Sequence, residues 1–284
     1  MPELATARQA DLDIAGESRF ATTGDGLRLH VLDAGGGGRP LLVLPGITSP
    51  AVTWRFMTGA VAAAGHRVLI ADLRGRGLSD APAEPRYALD DYADDVAAIV
   101  TGLELERPLV LGHSLGARIA AAFAVARPGL AGQLILVDPP LSGPGRDPYP
   151  TTRAQFLEQL QEAEAGTDAA GVARFYPGWP EAERALRARW LPTCREDAVL
   201  ATHAGFEQED FLPLWRQLAG APVLIRGGDS PVVTDAGLAE LESARPGAVT
   251  LTVAGAGHMV PWDQPDAFAA ALLPHLRRDM NTTS

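Results

Sequence analysis

Ser114 stands in Gly112-His113-Ser114-Leu115-Gly116, directly after the apolar run Pro108–Leu111 and directly before an alanine-rich helical stretch that ends at Ala126. A serine on a sharp turn between a strand and a helix presents its hydroxyl for attack, and glycines on either side remove side chains where the two elements crowd together. That hydroxyl is a weak nucleophile at neutral pH, so it needs a base within hydrogen-bond reach and a third group to orient the base. Among six histidines, His258 has the right setting, in the glycine-rich loop Gly255-Ala256-Gly257-His258-Met259 directly after the last apolar strand. The others are less well placed: His30 lies in an early strand, His66 before a strand, His203 in a helical insertion and His275 in the last helix. His113 adjoins the nucleophile but points to the other side of the turn.

Two carboxylates fit the order serine, acid, histidine. Asp138 ends a strand in Leu136-Val137-Asp138-Pro139-Pro140, and Asp229 follows the next one in Arg226-Gly227-Gly228-Asp229-Ser230-Pro231. Both fall on the sheet edge that carries Ser114. Asp138 is preferred and Asp229 stays open. Acyl transfer also needs backbone donors for the developing oxyanion, each typically worth about 3–4 kcal/mol on removal. One is the Leu115 N–H. The other is expected from Leu44-Pro45-Gly46-Ile47-Thr48, at Ile47.

The elements that must hold these residues are legible as apolar runs. Strands are expected at 27–33, 40–45, 67–72, 108–112, 133–138, 222–226 and 250–254, with helical patterns at 53–64, 89–102, 115–126, 236–243 and 266–278. Continuous apolar strands alternating with helices predict an α/β fold, a mostly parallel sheet with helices on both faces. The first two strands, joined by Gly35-Gly36-Gly37-Gly38, read as an antiparallel hairpin at the sheet's edge. From Pro139 to about Pro213 no strand is evident, only helical pieces at 151–165, 169–176, 181–190 and 197–205. An insertion there would lie over the carboxyl ends of the strands, where such sheets bind ligands, so 139–213 is expected to be a helical cap. Residues 19–138 and 214–284 are then the core, and residues 1–18, without a strong apolar period, a loose leader. The segment Asp72–Ser79 is expected to be a structural loop.

Bulk properties narrow the function. In a chain of 284 residues, a formal charge of −11 argues against nucleic acid or an anionic membrane surface as partner. The one cysteine, Cys194, forbids an intramolecular disulfide and suits a reducing compartment, and no Cys/His cluster has zinc-ligand spacing. There is neither a signal-peptide pattern nor a run long enough to span a bilayer, so a cytoplasmic enzyme without metal is expected. Nothing in the sequence fixes the oligomeric state.

Together these residues resemble the α/β-hydrolase superfamily from about Gly26 to Leu276. Four segments resemble, more narrowly, the N-formylmaleamate deformylases of aerobic nicotinate degradation: Gly46–Trp54, Val137–Pro140 with Ser142–Arg146, Leu186–Leu191 with Thr193-Cys194, and Gly257–Asp263. Pro45 replaces the histidine usual before this glycine, a departure those deformylases share. The usual superfamily pattern would align the acid with Pro231; the deformylase pattern implies Asp138. The resemblance implies hydrolysis of N-formylmaleamate to maleamate and formate by Ser114, His258 and Asp138, with no metal or organic cofactor. A carboxylate-bearing formyl amide needs a cationic or strong hydrogen-bonding anchor, for which Arg118, Arg146 and Arg187 are candidates, with Thr48 and Ser49 as hydroxyl donors. Tyr149, Tyr176, Trp179, Trp190 and Trp262 are candidate pocket walls, and Trp54 a support for the oxyanion loop. A carboxylesterase or C–C bond hydrolase on the same scaffold is the rival reading, and a ligand-binding protein with an idle triad a more remote one.

Overall fold

The structure, a computed structural model, describes residues 2–276. Helix α1 (Pro2–Ala15) and strand β1 (Glu17–Thr22) precede β2 (Arg28–Gly35) and β3 (Pro40–Leu44). A 3₁₀ turn (Ala51–Trp54) leads into α2 (Arg55–Ala63), followed by β4 (Arg67–Ala71), α3 (Leu89–Gly102), β5 (Leu109–His113), α4 (Leu115–Ala126) and β6 (Leu134–Val137). Next come α5 (Arg153–Ala165), α6 (Ala169–Ala173), α7 (Glu181–Trp190), a 3₁₀ turn (Leu191–Thr193), α8 (Glu196–Gln208) and α9 (Phe211–Gln217). The chain re-enters the sheet with β7 (Val223–Gly227), α10 (Asp235–Ala244), β8 (Val249–Val253), α11 (Val260–Asp263) and α12 (Pro265–Leu276).

Among the described residues, eight strands form one sheet in the order β1-β2-β4-β3-β5-β6-β7-β8, parallel from β4 to β8 and antiparallel at β1 and β2. The inner strands are apolar on both sides because both faces are covered. Leu42 and Leu44 join one core, with α3 and α4, while Leu41 and Val43 join the other, with α2 and α12. The expected strands all form, within two residues at each end.

Two expectations are corrected. β2 and β3 are not a hairpin: β4 lies between them, and the antiparallel partner of β2 on its outer side is β1. β3 is buried from Leu41 to Leu44, in keeping with an interior position with parallel neighbours on both sides. Nor is the segment expected as a loose leader without structure where it is described: α1 spans Pro2–Ala15 and β1 begins at Glu17. Helix α1 is rich in good helix formers and is anchored by polar contacts rather than an apolar stripe. Asp11 accepts hydrogen bonds from Arg189 (2.7 and 2.9 Å) and from the Trp190 indole N–H (2.9 Å), with Leu12 buried beside it. The residues 277–284 assigned to the core lie outside the described residues, as does the end of the helix expected at 266–278.

Candidate active site

The turn from β5 to α4 holds Ser114 in the left-handed region, at φ 55° and ψ −118°. Such backbone is strained for a residue with a side chain and persists only where the surroundings impose it. They do so by close packing: a Cβ at Gly112 would lie 2.1 Å from the Gly116 carbonyl oxygen, and one at Gly116 would lie 1.9 Å from that of Leu44. Asp138, just past β6, is also left-handed at φ 47°, with its N–H bonded to Ile225 O in β7.

These two residues meet His258. Its Nε2 lies 2.9 Å from Ser114 Oγ and its Nδ1 lies 2.7 Å from Asp138 Oδ2. Asp138 is wholly buried and also accepts from Ser230 Oγ (2.5 Å) and from Gly227 N–H (3.2 Å), so the carboxylate is held in one orientation. The imidazole therefore carries its proton on Nδ1 and offers the Nε2 lone pair to the hydroxyl, as a general base requires. Asp229, the competing acid, is exposed, and its N–H bonds to Ala256 O. The neighbouring Ser230 contributes instead, by bracing Asp138.

The loop bearing His258 is fixed from two sides. His113 Nε2 donates to the His258 carbonyl (2.9 Å), and the Gly257 N–H donates to Asp263 Oδ2 (2.9 Å). Asp263 in turn accepts from the Trp179 indole (3.2 Å). Burial pulls the His113 pKa down to about 3, which keeps it a neutral donor.

Ile47 and Leu115 flank Ser114 and are buried, and neither N–H donates to a protein acceptor among the described residues. The Leu115 N–H is also at the positive end of α4. Behind the Ile47 loop is Arg76, which sequence reasoning passed over. Its guanidinium donates to Ile47 O (3.1 Å) and Arg74 O (2.8 Å), to Tyr92 Oη (2.7 Å), and to Ala198 O (3.2 Å) and Thr202 Oγ1 (3.0 Å) on α8. One side chain thus joins the Ile47 loop to the helical insertion. Through Arg76 the Asp72–Ser79 loop braces this site.

The expected anchors separate cleanly. Arg118 is fully buried but bound to the carbonyls of Ser142 and Glu209, and burial lowers its pKa to about 10; it ties α4 to the insertion. Arg146 is paired with Glu240 and bonded to Leu141 O (2.5 Å). Trp190 spends its N–H on Asp11 and packs in the core. All three are thus engaged by groups of the fold itself. Arg187 differs. It is 3% exposed, and its guanidinium donates to Thr48 O (3.1 Å), Thr48 Oγ1 (3.2 Å), Gln159 Oε1 (3.4 Å) and Tyr176 Oη (3.5 Å), all neutral. Ser49 is buried in the same loop, its N–H bonded to Gly46 O. Aromatic rings form a continuous wall: Tyr176 stacks on Trp179, Trp179 on Trp262, and Trp262 meets Trp54 edge-on.

Tyr149, expected only as a wall, has a closer position. Its hydroxyl is 3.1 Å from His258 Nε2 and close to Ser114. A second serine–histidine–aspartate arrangement, Ser18–His30–Asp72 (2.9 and 2.6 Å), lies at the sheet edge. There Asp72 also accepts from the Ala51 and Leu78 N–H groups, so the cluster ties β1 and β2 to the loops beneath the site.

The eight-stranded sheet, the strained serine turn and the convergent histidine and aspartate are features of one fold family. Residues 39–265 match the family model described as alpha/beta hydrolase fold, and the chain belongs to that family. Within it, the chain is 40% identical over 253 residues to the N-formylmaleamate deformylase of Pseudomonas putida KT2440, covering 87% of this chain and 92% of that protein. The crystal structure of an N-formylmaleamic acid deformylase from Pseudomonas putida S16 superposes with a TM-score of 0.85 at 39% identity, over 90% of this chain and 100% of that one. A 2-(acetamidomethylene)succinate hydrolase from Mesorhizobium japonicum is 29% identical over 84% of this chain and 87% of its own length. The resemblance read from the sequence is borne out, and the chain is a hydrolase. No helix among the described residues is long and apolar enough to cross a membrane.

Proposed function

We propose that this enzyme removes the formyl group of N-formylmaleamate, giving maleamate and formate, as a step in nicotinate degradation. The observation that carries the reading is the Ser114–His258–Asp138 relay beside a buried arginine with only neutral partners. The two Pseudomonas deformylases, similar over most of their length, support the choice of substrate.

In this reading Ser114 Oγ attacks the formyl carbon while His258 Nε2 takes its proton, and Asp138 stabilises the imidazolium. The Ile47 and Leu115 N–H groups receive the oxyanion. Collapse breaks the C–N bond, with the proton passing from His258 to nitrogen; maleamate leaves and formyl-Ser114 remains. Water, deprotonated by the same histidine, then releases formate and restores the serine. Arg187 is the anchor for the substrate carboxylate, because a buried guanidinium without an acidic partner gains most from an anion beside it. Thr48, bonded to Arg187, keeps that anchor in register with the oxyanion loop, and Ser49 adds a hydroxyl to the same wall. Residues 139–213 act as a cap, since Ser114 is only 2% exposed beneath them. The reaction belongs in the cytoplasm, where the buried Cys194 stays reduced.

The test is formate release from N-formylmaleamate by purified protein, beside Ser114→Ala and a p-nitrophenyl acetate control. Rapid formate release that depends on Ser114 is the expected result. Ester cleavage without formate would discard the substrate and keep the serine hydrolase.

A further inference from the structure

Two hydroxyls converge on one imidazole lone pair. With its Nδ1 proton committed to Asp138, His258 offers only Nε2 as an acceptor, and both Ser114 Oγ (2.9 Å) and Tyr149 Oη (3.1 Å) lie at it. The Tyr149 position is imposed by packing. Its ring stacks on Phe156 of α5 and meets Phe206 and His203 of α8, and the residue sits between Pro148 and Pro150. Burial pushes its phenol well above the ordinary range, so the group stays a protonated donor wherever the enzyme works.

Ser114 alone suffices to bring the imidazole its proton, which leaves the second hydroxyl unaccounted for by nucleophile activation. When Ser114 attacks, its proton moves to Nε2 and the lone pair that accepted from Tyr149 disappears. The phenol then loses its histidine acceptor as charge develops on the departing group, and its other neighbour, Ser114 Oγ, is by then bonded to the formyl carbon and a poorer acceptor. A formyl amide nitrogen conjugated to a second carbonyl takes on amidate character as the C–N bond stretches, with charge shared between nitrogen and the distal oxygen until His258 delivers the proton. Both atoms accept hydrogen bonds.

We propose that Tyr149 is a catalytic residue whose hydroxyl switches from His258 Nε2 to the leaving group, donating a hydrogen bond to the amidate as the C–N bond breaks. His258 still delivers the proton to nitrogen, and Tyr149 keeps its own, so no further reactant is needed. The bond exists only in the transition state and therefore accelerates the chemical step. It also adapts the site to basic leaving groups, amides and imides above activated esters. The proposal rests on the serine mechanism above but not on the identity of the substrate.

The experiment is Tyr149→Phe, which keeps the stacked ring, assayed on p-nitrophenyl acetate, phenyl acetate and N-formylmaleamate. p-Nitrophenolate leaves unaided, so that rate should change by less than about threefold. The loss should grow to about tenfold on phenyl acetate and to about 10²-fold or more on N-formylmaleamate, the scale of losing one oxyanion-type donor. Because the three rates come from one preparation, any unfolded fraction cancels in their ratios. A loss equal on all three substrates, or none on any, overturns the proposal. A wild-type enzyme inert on N-formylmaleamate alone would defeat the deformylase reading, and the two aryl esters would still decide Tyr149. Inertness on all three would overturn both.

Discussion

At the scale of single residues, function rests on a few hydrogen bonds with no substitute. Asp138→Asn retains the shape but offers an amide where His258 Nδ1–H and Ser230 O–H now donate. It should lower kcat by about 10³–10⁴-fold through a mis-set imidazole tautomer. Asp229→Asn, altering an exposed side chain, should stay within twofold, and steady-state kinetics on the two variants separates them; the opposite ranking would reassign the acid. In the proposed function Arg187 serves binding rather than chemistry. Arg187→Met should raise KM for a carboxylate substrate by about 10–100-fold, the worth of a charge-assisted hydrogen bond, while KM for neutral p-nitrophenyl acetate stays within threefold. An equal rise for both substrates would show that the arginine only holds the Thr48 loop.

At the scale of elements, the site depends on strands, loops and helices meeting without room to spare. A methyl group at Gly116 would overlap the Leu44 carbonyl, on rigid backbone, so Gly116→Ala should destabilise the protein by about 3 kcal/mol or more in urea unfolding. A stable Gly116→Ala protein would mean that α4 has freedom to shift. Arg76 bridges the Ile47 loop and α8, two parts of the chain far apart in sequence. Lysine cannot reach all of those acceptors at once, so Arg76→Lys should cut kcat about tenfold and leave KM within threefold. A change in KM alone would place its role in binding. Helix α1 is held at its Asp11 end by Arg189 and Trp190, remote from Ser114. Asp11→Ala should lower the Tm and leave kcat unchanged, which thermal unfolding beside an activity assay checks.

At the scale of the whole molecule, pH couples the site to stability. His113 is buried and neutral, with a folded pKa of about 3 against about 6.5 when unfolded. Between those values only the unfolded chain takes up the proton. Stability is therefore full above about pH 6.5 and falls as pH drops toward 3, this one group contributing a slope of up to about 1.4 kcal/mol per pH unit. Urea unfolding at pH 7, 6 and 5 should show that loss, and His113→Asn should flatten it; an unchanged slope would exclude this histidine as its source.

What the sequence determined by itself was the local framework of the candidate site and its rough scaffold. The Ser114 turn, the His258 loop and seven of the strands are written in short-range signals: glycines where a Cβ has no room, continuous apolar runs, helix patterns of period 3.6. Helix α1 escaped because its anchor, Asp11, acts through residues nearly 180 positions away. The order of the strands escaped for a related reason: β2 and β3 adjoin in sequence, but burial on both faces draws β4 between them. The tertiary structure also decided among arginines of identical chemistry, leaving Arg187 without an acidic partner while Arg118 and Arg146 hold carbonyls and Glu240. It gave Tyr149 a hydrogen bond to His258 and Arg76 one to Ile47. Such assignments depend on which groups the fold brings within 3 Å of one another, and that distance has no counterpart in spacing along the chain.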